Sequence, residues 1–392
     1  MKPRKIKDGI LSIGAVDWDR RLFDGLIPLP DGTSYNAYLV SGSEKTALVD
    51  TVDPPMRDIL LENLAGVASV DYVIAHHGEQ DHSGAIPFVL DKYPKAKVVC
   101  TPKAEGILTD LLGIAADRFI TVEDGQQISL GDKTLEFIHT PWVHWPETMV
   151  TYLREEKTLF SCDFFGSHLA QSELTVTDEG RVYEAAKRYF AEIMMPFRTV
   201  IQKNMLKIQG LEIGMIAPSH GPVYQRPEFI LAAYRDWISD KPRNSVVVAY
   251  ISMHGSTEAM VDHFVSALGA NDVPVCQFNL ADTDIGKLAI ALVDAATIVI
   301  GAPAVHVGPH PKAAYAAFLA NALRPKLKFA SVISSYGWNQ KVVEHIAAMI
   351  PNLKVEVLPP VICRGFPQEK DLAALDQLAG AIAQKHKDLG LA

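Results

Sequence analysis

The chain has 392 residues, 48% of them hydrophobic, and a formal net charge of −9. The hydrophobic share suffices for buried cores in two or more domains of ~100–200 residues and excludes a disordered chain. The acidic balance lacks the basic footprint that sequence-independent nucleic-acid binding needs, and no run of about 18 uncharged apolar residues predicts a membrane span.

The opening stretch MKPRKIKDGILSIGAVDWD starts basic, but acidic residues interrupt it before a signal-peptide core can form. Cys100, Cys162, Cys276 and Cys363 are far apart and form no CxxC pair. That pattern fits a reducing cytoplasm and speaks against a cysteine metal site or a built-in rubredoxin module. Short β-rich runs then follow, each bounded by Gly, Asp or Pro: TSYNAYLVSG, ALVDT, DYVIAHH, AKVVCTP, TLEFIHT, MVTYLRE, KTLFSCD and GMIAPSHG. Helical stretches such as MRDILLENLAG lie between them, which predicts sheets flanked by helices.

Near WISDKPRNS the grammar changes, and the step at 241–244 reads as a linker. From there βα units alternate regularly. The strands SVVVAYIS, VPVCQFNL, ATIVIGAP, KFASVISS and KVEVLPPVI are interleaved with amphipathic helices, the last from DLAALDQLAGAIAQKH. Five such strands predict a doubly wound parallel sheet of flavodoxin type. The expected domains are therefore 1–242 and 243–392.

In the first half, ligand-type residues recur in one context. His77 follows DYVIA, His144 lies just past TLEFIHT, Asp163 ends KTLFSCD and His220 follows MIAPS. Each sits beyond a strand's carboxyl end, where α/β-type sheets place their sites. The stretch HHGEQDHSG (76–84) adds Glu79, Asp81 and His82. In an extended segment 77, 79 and 81 share a face, which leaves His76 pointing elsewhere. His139 belongs to its strand, and His168 reads as a packing or supporting histidine.

The sequence H-x-E-x-D-H, here His77, Glu79, Asp81 and His82, resembles the metallo-β-lactamase superfamily. Zinc hydrolases of that superfamily usually carry His where this chain has Glu79. A carboxylate there is a hard oxygen donor, and mixed imidazole and carboxylate ligation suits iron better than a histidine-rich set. The stretches VHWPETM (143–149), CDFFGSH (162–168), YFAEIMMPF (189–197) and APSHGPVY (217–224) are similar to the flavodiiron proteins, or A-type flavoproteins. The resemblance covers nearly the whole chain. It implies an N-terminal αββα metallo-β-lactamase-like sandwich and a C-terminal flavodoxin-like domain. It also implies two iron ions: one on His77, Glu79 and His144, the other on Asp81, His82 and His220, with Asp163 shared. Tyr189 matches a tyrosine near the diiron pocket and is the candidate catalytic side chain, against a plain core reading. Asp24 departs from the family, since many members carry histidine there.

In the second half, ligand is expected beyond the ends of strands one and three. The loop after strand one offers Ser252, Met253, His254, Gly255, Ser256 and Thr257 at a helix start, a nest for phosphate. Pro303, Ala304, Val305 and His306 follow strand three; Ser335, Tyr336, Gly337 and Trp338 follow strand four, with aromatics where an isoalloxazine would stack. The resemblance to flavodoxins implies FMN. Ala304, His306, Asn339 and Gln340 depart from the common pattern, and no GxGxxG follows strand one, against an NAD fold.

The combination implies a cytoplasmic reductase of O2 to water, of NO to N2O, or of both. Its electrons would come from an external donor, either rubredoxin or a reduced deazaflavin. The family arrangement is a head-to-tail homodimer, or a dimer of dimers. Two other readings compete: a zinc hydrolase with an appended flavodoxin, which Glu79 opposes, and a flavodoxin-type electron carrier with an inert metal domain.

Overall fold

The computed structural model describes residues 2–391, and the chain divides into two compact units, Met1–Ile238 and Ser239–Ala392. In the first unit a seven-stranded sheet runs in the order Arg4–Lys7, Ile10–Ser12, Tyr38–Ser41, Thr46–Val49, Tyr72–Ile74, Lys97–Cys100 and Phe119–Thr121. A five-stranded sheet runs Gln127–Ser129, Thr134–His139, Met149–Leu153, Thr158–Cys162 and Met215–Pro218. Period-two alternation sorts their side chains. From Thr46–Val49, Ala47 and Val49 enter a core shared with Phe137, Leu153 and Phe160 of the other sheet. Leu48, between them, joins the opposite core.

That opposite core is closed by helices Arg57–Asn63, Ile86–Lys92 and Pro102–Leu112, which contribute Leu60, Val89 and Leu108. Local chemistry sets the third of these. The Thr101 side chain accepts from Ala104 N–H, Pro102 occupies the first turn, and Gly113 takes the left-handed position that ends the helix. Helices Glu179–Tyr189, Arg198–Ile208 and Pro227–Ile238 form the remaining layer. Phe190, Tyr234 and Trp237 pack there with ring centroids 5.3–5.4 Å apart. The architecture is the αββα metallo-β-lactamase-like sandwich.

The second unit is a parallel sheet ordered Val275–Asn279, Arg243–Tyr250, Ala295–Val305, Phe329–Tyr336, then Glu356–Val357 and Val361–Arg364. This is the flavodoxin-like 2-1-3-4-5 order. Helices Ser256–Ala270 and Glu369–Asp388 pack against it through Met260, Phe264, Leu375 and Ile382.

Two expected features differ. The last strand is broken, because Pro359 and Pro360 fall between its two pieces and cannot donate to a sheet ladder. The third strand runs on to Val305, so Pro303 and Ala304 are strand rather than loop, and Gly308–Pro309 folds back on it. His306 and Val307 make the two-residue turn with φ of 47° and 74°, the positive values a tight hairpin demands. No helix among the described residues is long and apolar enough to cross a membrane.

Candidate metal centre and flavin edge

The seven candidate ligands of the first unit converge as the resemblance implies. His77 stands three residues beyond Tyr72–Ile74, Asp163 directly follows Thr158–Cys162, and His220 is two residues beyond Met215–Pro218. The extended-face argument fails for Asp81. Glu79 caps a short helix, Gln80–Ser83, and Asp81 and His82 project from that turn. The turn is what separates the four residues into two pairs.

Glu79 Oε2 lies 3.1 Å from the Nε2 atoms of both His77 and His144. Asp81 Oδ2 lies 3.2 Å from His220 Nε2, and Asp81 Oδ1 3.5 Å from His82 Nε2. Asp163 stands between the two sets. Its Oδ2 is 3.6 Å from His77 and His144, and its Oδ1 is 3.1 Å from His82 and 3.3 Å from His220. Metal–ligand bonds of about 2.1 Å at right angles place neighbouring donors about 3 Å apart, so these spacings suit coordinated cations. Two further observations fit. Asp81 Oδ1 and Asp163 Oδ2 are buried with no hydrogen-bond partner, a costly state for carboxylate oxygens that a cation relieves. The donors are imidazole nitrogens and carboxylate oxygens, the set suited to iron rather than to a soft thiolate metal.

The electrostatics point the same way. Burial pulls the His77 imidazolium down, but hydrogen bonds to Glu147 and Glu79 outweigh it and carry the group up to about 9. His220 also reaches about 9, where Asp163 and Asp81 overcome the same burial. Burial would raise Asp163, yet His82 and His220 hold it well below the carboxylate range. A cluster that binds protons this firmly favours positive charge of any kind.

Every candidate ligand but His77 opens on a cavity of about 160 Å³. Phe23, Asp24, Ile27, His168, Tyr189, Glu192 and Ile193 complete its wall. Tyr189 O–H donates to Asp163 Oδ1 at 2.7 Å, so it is more than a core residue. It ends its helix where the chain loosens into a π-helical turn, Phe190–Met194, a form common at functional sites. His168 Nδ1 pairs with Thr33 Oγ1 at 2.8 Å, and its buried Nε2 has no partner. Burial pushes this imidazole well down, so it is neutral. Asp24 lies at a left-handed turn (φ 50°), with its carboxyl raised by burial and by the charges of Glu79 and Asp81.

His76 points away: its Nδ1 meets Asp50 Oδ2 at 2.9 Å and its Nε2 meets Thr151 Oγ1 at 2.6 Å. Asp50 also accepts from His76 N–H and Ser219 Oγ, each at 3.0 Å, bracing the loops that carry His77 and His220. His139 stays in its strand beside Val122 O. Sequence reasoning missed Asp50 and Glu147. Glu147 stands in VHWPETM three residues after His144, so its only signal was proximity to a ligand.

In the second unit the three expected loops lie at the carboxyl ends of adjacent strands. Gly255 adopts φ 82° before helix Ser256–Ala270, and its N–H donates to Ser252 Oγ at 3.1 Å. Thr257 is buried instead of open to the loop, and its Oγ1 meets Ser335 Oγ at 2.9 Å, tying the first loop to the fourth strand. Met253 and Trp338 are exposed, and a side-chain carbon added at Gly255 or Gly337 would meet nothing within 4 Å. An edge with a helix start, small hydroxyls, exposed aromatic surface and open space fits a flavin with its phosphate.

A family model described as ODP family beta lactamase matches residues 33–221. The chain is 34% identical to a nitric oxide reductase of Moorella thermoacetica, covering 99% of this chain and 100% of that one. It is also 34% identical to a coenzyme F420H2 oxidase of Methanothermobacter marburgensis, over 79% of each. Its structure matches that of rubredoxin oxygen:oxidoreductase from Desulfovibrio gigas with a TM-score of 0.96 and 29% identity, covering 100% of both chains. It matches the flavodiiron protein of Giardia intestinalis at 0.89 and 26%, covering 98% of both. With a whole-length relative at that identity and the site geometry alike, the chain belongs to the flavodiiron proteins, the type A flavoproteins, and is an oxidoreductase.

Proposed function

We propose that this flavodiiron protein reduces O2 to water, NO to N2O, or both, at a centre held by seven side chains. The cofactors are those of the family, FMN and a non-haem diiron centre. His77, Glu79 and His144 would hold one iron, Asp81, His82 and His220 the other, and Asp163 would serve both. The observation that carries this reading is the placement of Asp163: each of its oxygens faces a different pair of imidazoles. When bound, the irons supply open positions for a diatomic gas and electrons for its reduction. The first unit holds the irons, and the second holds FMN on Ser252–Thr257, Pro303–His306 and Ser335–Trp338.

The chain's own residues do the rest. Tyr189 fixes Asp163 by its hydrogen bond, and neutral His168, whose Nε2 has no partner, lines the cavity. Both gas reactions consume protons: four with four electrons for O2, two with two electrons for a pair of NO. The titratable wall of Asp24, Tyr189 and His168 stands where those protons are needed. FMN is reduced by a separate donor. The relatives' names support two kinds, rubredoxin and a reduced deazaflavin such as F420H2. We place the enzyme in the cytoplasm as a head-to-tail homodimer, in which the FMN of one protomer serves the irons of its partner.

Metal analysis followed by anaerobic rapid mixing of the reduced protein with each gas tests this reading. Two irons per chain and fast reoxidation by O2 or NO are expected. Two zincs per chain with thioester hydrolysis would replace it with the hydrolase reading.

A further inference from the structure

The four candidate ligand imidazoles turn Nε2 towards the carboxylates, and what stands behind them differs. His77 Nδ1 lies 2.8 Å from Glu147 Oε1, which also accepts Gly78 N–H at 2.9 Å. Glu147 is buried, and its Oε2 has no hydrogen bond. On the other side the supports are neutral. His220 Nδ1 meets the carbonyl of Ser34 at 2.7 Å, and His82 Nδ1 faces the Cys162 sulfur at 3.7 Å.

A carboxylate that accepts an imidazole N–H lends it imidazolate character and makes its other nitrogen a stronger donor. A carbonyl does this less, and a thiol is a weak acceptor. Asp163 carries a second asymmetry. Tyr189 O–H draws charge from Oδ1, the oxygen facing His82 and His220, while Oδ2, facing His77 and His144, accepts no hydrogen bond. Both effects act in a buried, weakly screening environment, and both point the same way.

We propose that Glu147 and Tyr189 act from opposite ends as positioning residues that make the two halves of the centre electronically unequal. The His77–Glu79–His144 half is the more electron-rich donor set, and the iron held there has the lower reduction potential. This rests on the iron assignment above.

The test uses the full iron-loaded chain, with irons per chain counted first. A mediator-poised titration is then followed by electron paramagnetic resonance and Mössbauer spectroscopy. Two separated one-electron steps are expected. Glu147→Gln keeps an acceptor for His77 Nδ1–H but removes the charge, so a merely structural role would survive it. It should raise the lower potential, leave the upper nearly in place, and weaken iron binding about 10- to 100-fold. Tyr189→Phe should lower the upper potential. Each variant therefore narrows the gap, from opposite sides. If Glu147→Gln cannot retain iron, Tyr189→Phe decides alone. Unmoved potentials, or shifts that widen the gap, with both irons in place would overturn the proposal. An unmodified chain without two irons would instead overturn the assignment beneath it.

Discussion

The two sites of this chain are built in opposite ways. The metal centre gathers buried charged side chains from distant segments, and nearly every donor atom has a named partner within 4 Å. The flavin edge has few such ties. Its loops are short, Trp338 is 73% exposed, and its side-chain bonds are few, among them Thr257 to Ser335 and Arg364 to the Gly337 carbonyl. The contrast follows from what each holds. Point cations need fixed charges at fixed distances, so the side chains must be locked before the metal arrives. A large flat ligand with a phosphate is held by backbone N–H groups and shape, which many sequences supply.

Substitutions should therefore act very differently in the two units. The largest effect is expected for Asp163→Asn, which weakens the donor common to both halves. Gas-reducing turnover and iron content should fall by more than the about 10- to 100-fold typical of an outer partner, while bound FMN stays near its normal level. Full turnover in this variant would remove the shared-ligand assignment. Next in size, Glu79→His should move the metal preference towards zinc, read as a higher zinc-to-iron ratio after growth with both metals. An unchanged ratio would show that Glu79 does not select the metal.

The pH response sharpens the comparison from another side. His77 and His220 are raised to about 9 in the folded chain against an ordinary value near 6.5. A raised imidazolium stabilises the fold below the unfolded value, and the contribution is lost as pH rises through the folded one. Metal-free protein should thus have a higher Tm at pH 6 than at pH 9.5. Iron affinity should show the reverse slope, because iron must displace those protons. A metal-free Tm that rises over this range would contradict the raising of His77 and His220 by the carboxylates around them. Smallest of all, Thr257→Val should weaken FMN binding by about 3- to 10-fold, the loss of one hydrogen bond, with iron content unchanged. FMN titration by fluorescence quenching measures it, and a drop in iron content would refute the separation of the two sites.

Legibility in the sequence divided along the same line. The clustering of His77, Glu79, Asp81, His82, His144, Asp163 and His220 was visible because residues of ligand type recur just beyond strand ends and in the short turn at 79–82. Glu147 and Asp50 were not, because a carboxylate behind a ligand looks in sequence like any other acid. The carbonyl of Ser34 leaves no trace at all, since every residue has one. The parallel sheet was readable from five apolar runs, whereas the extension of the third strand to Val305 was not. Its turn at His306 and Val307 uses residues that ordinarily avoid positive φ, and pairing with Gly308–Pro309 overrides that preference.

The pair Pro359–Pro360 has a consequence beyond breaking a strand. Glu356–Val357 and Val361–Arg364 form one border of the flavodoxin-like sheet, and such a border presents unpaired N–H and C=O groups to any passing chain. Two adjacent residues without an N–H interrupt that row in its middle and leave only fragments of two and four residues. No long strand can zip along it. The prolines thus guard a sheet that carries a long apolar strand, Ala295–Val305, against edge-to-edge aggregation as the chain folds.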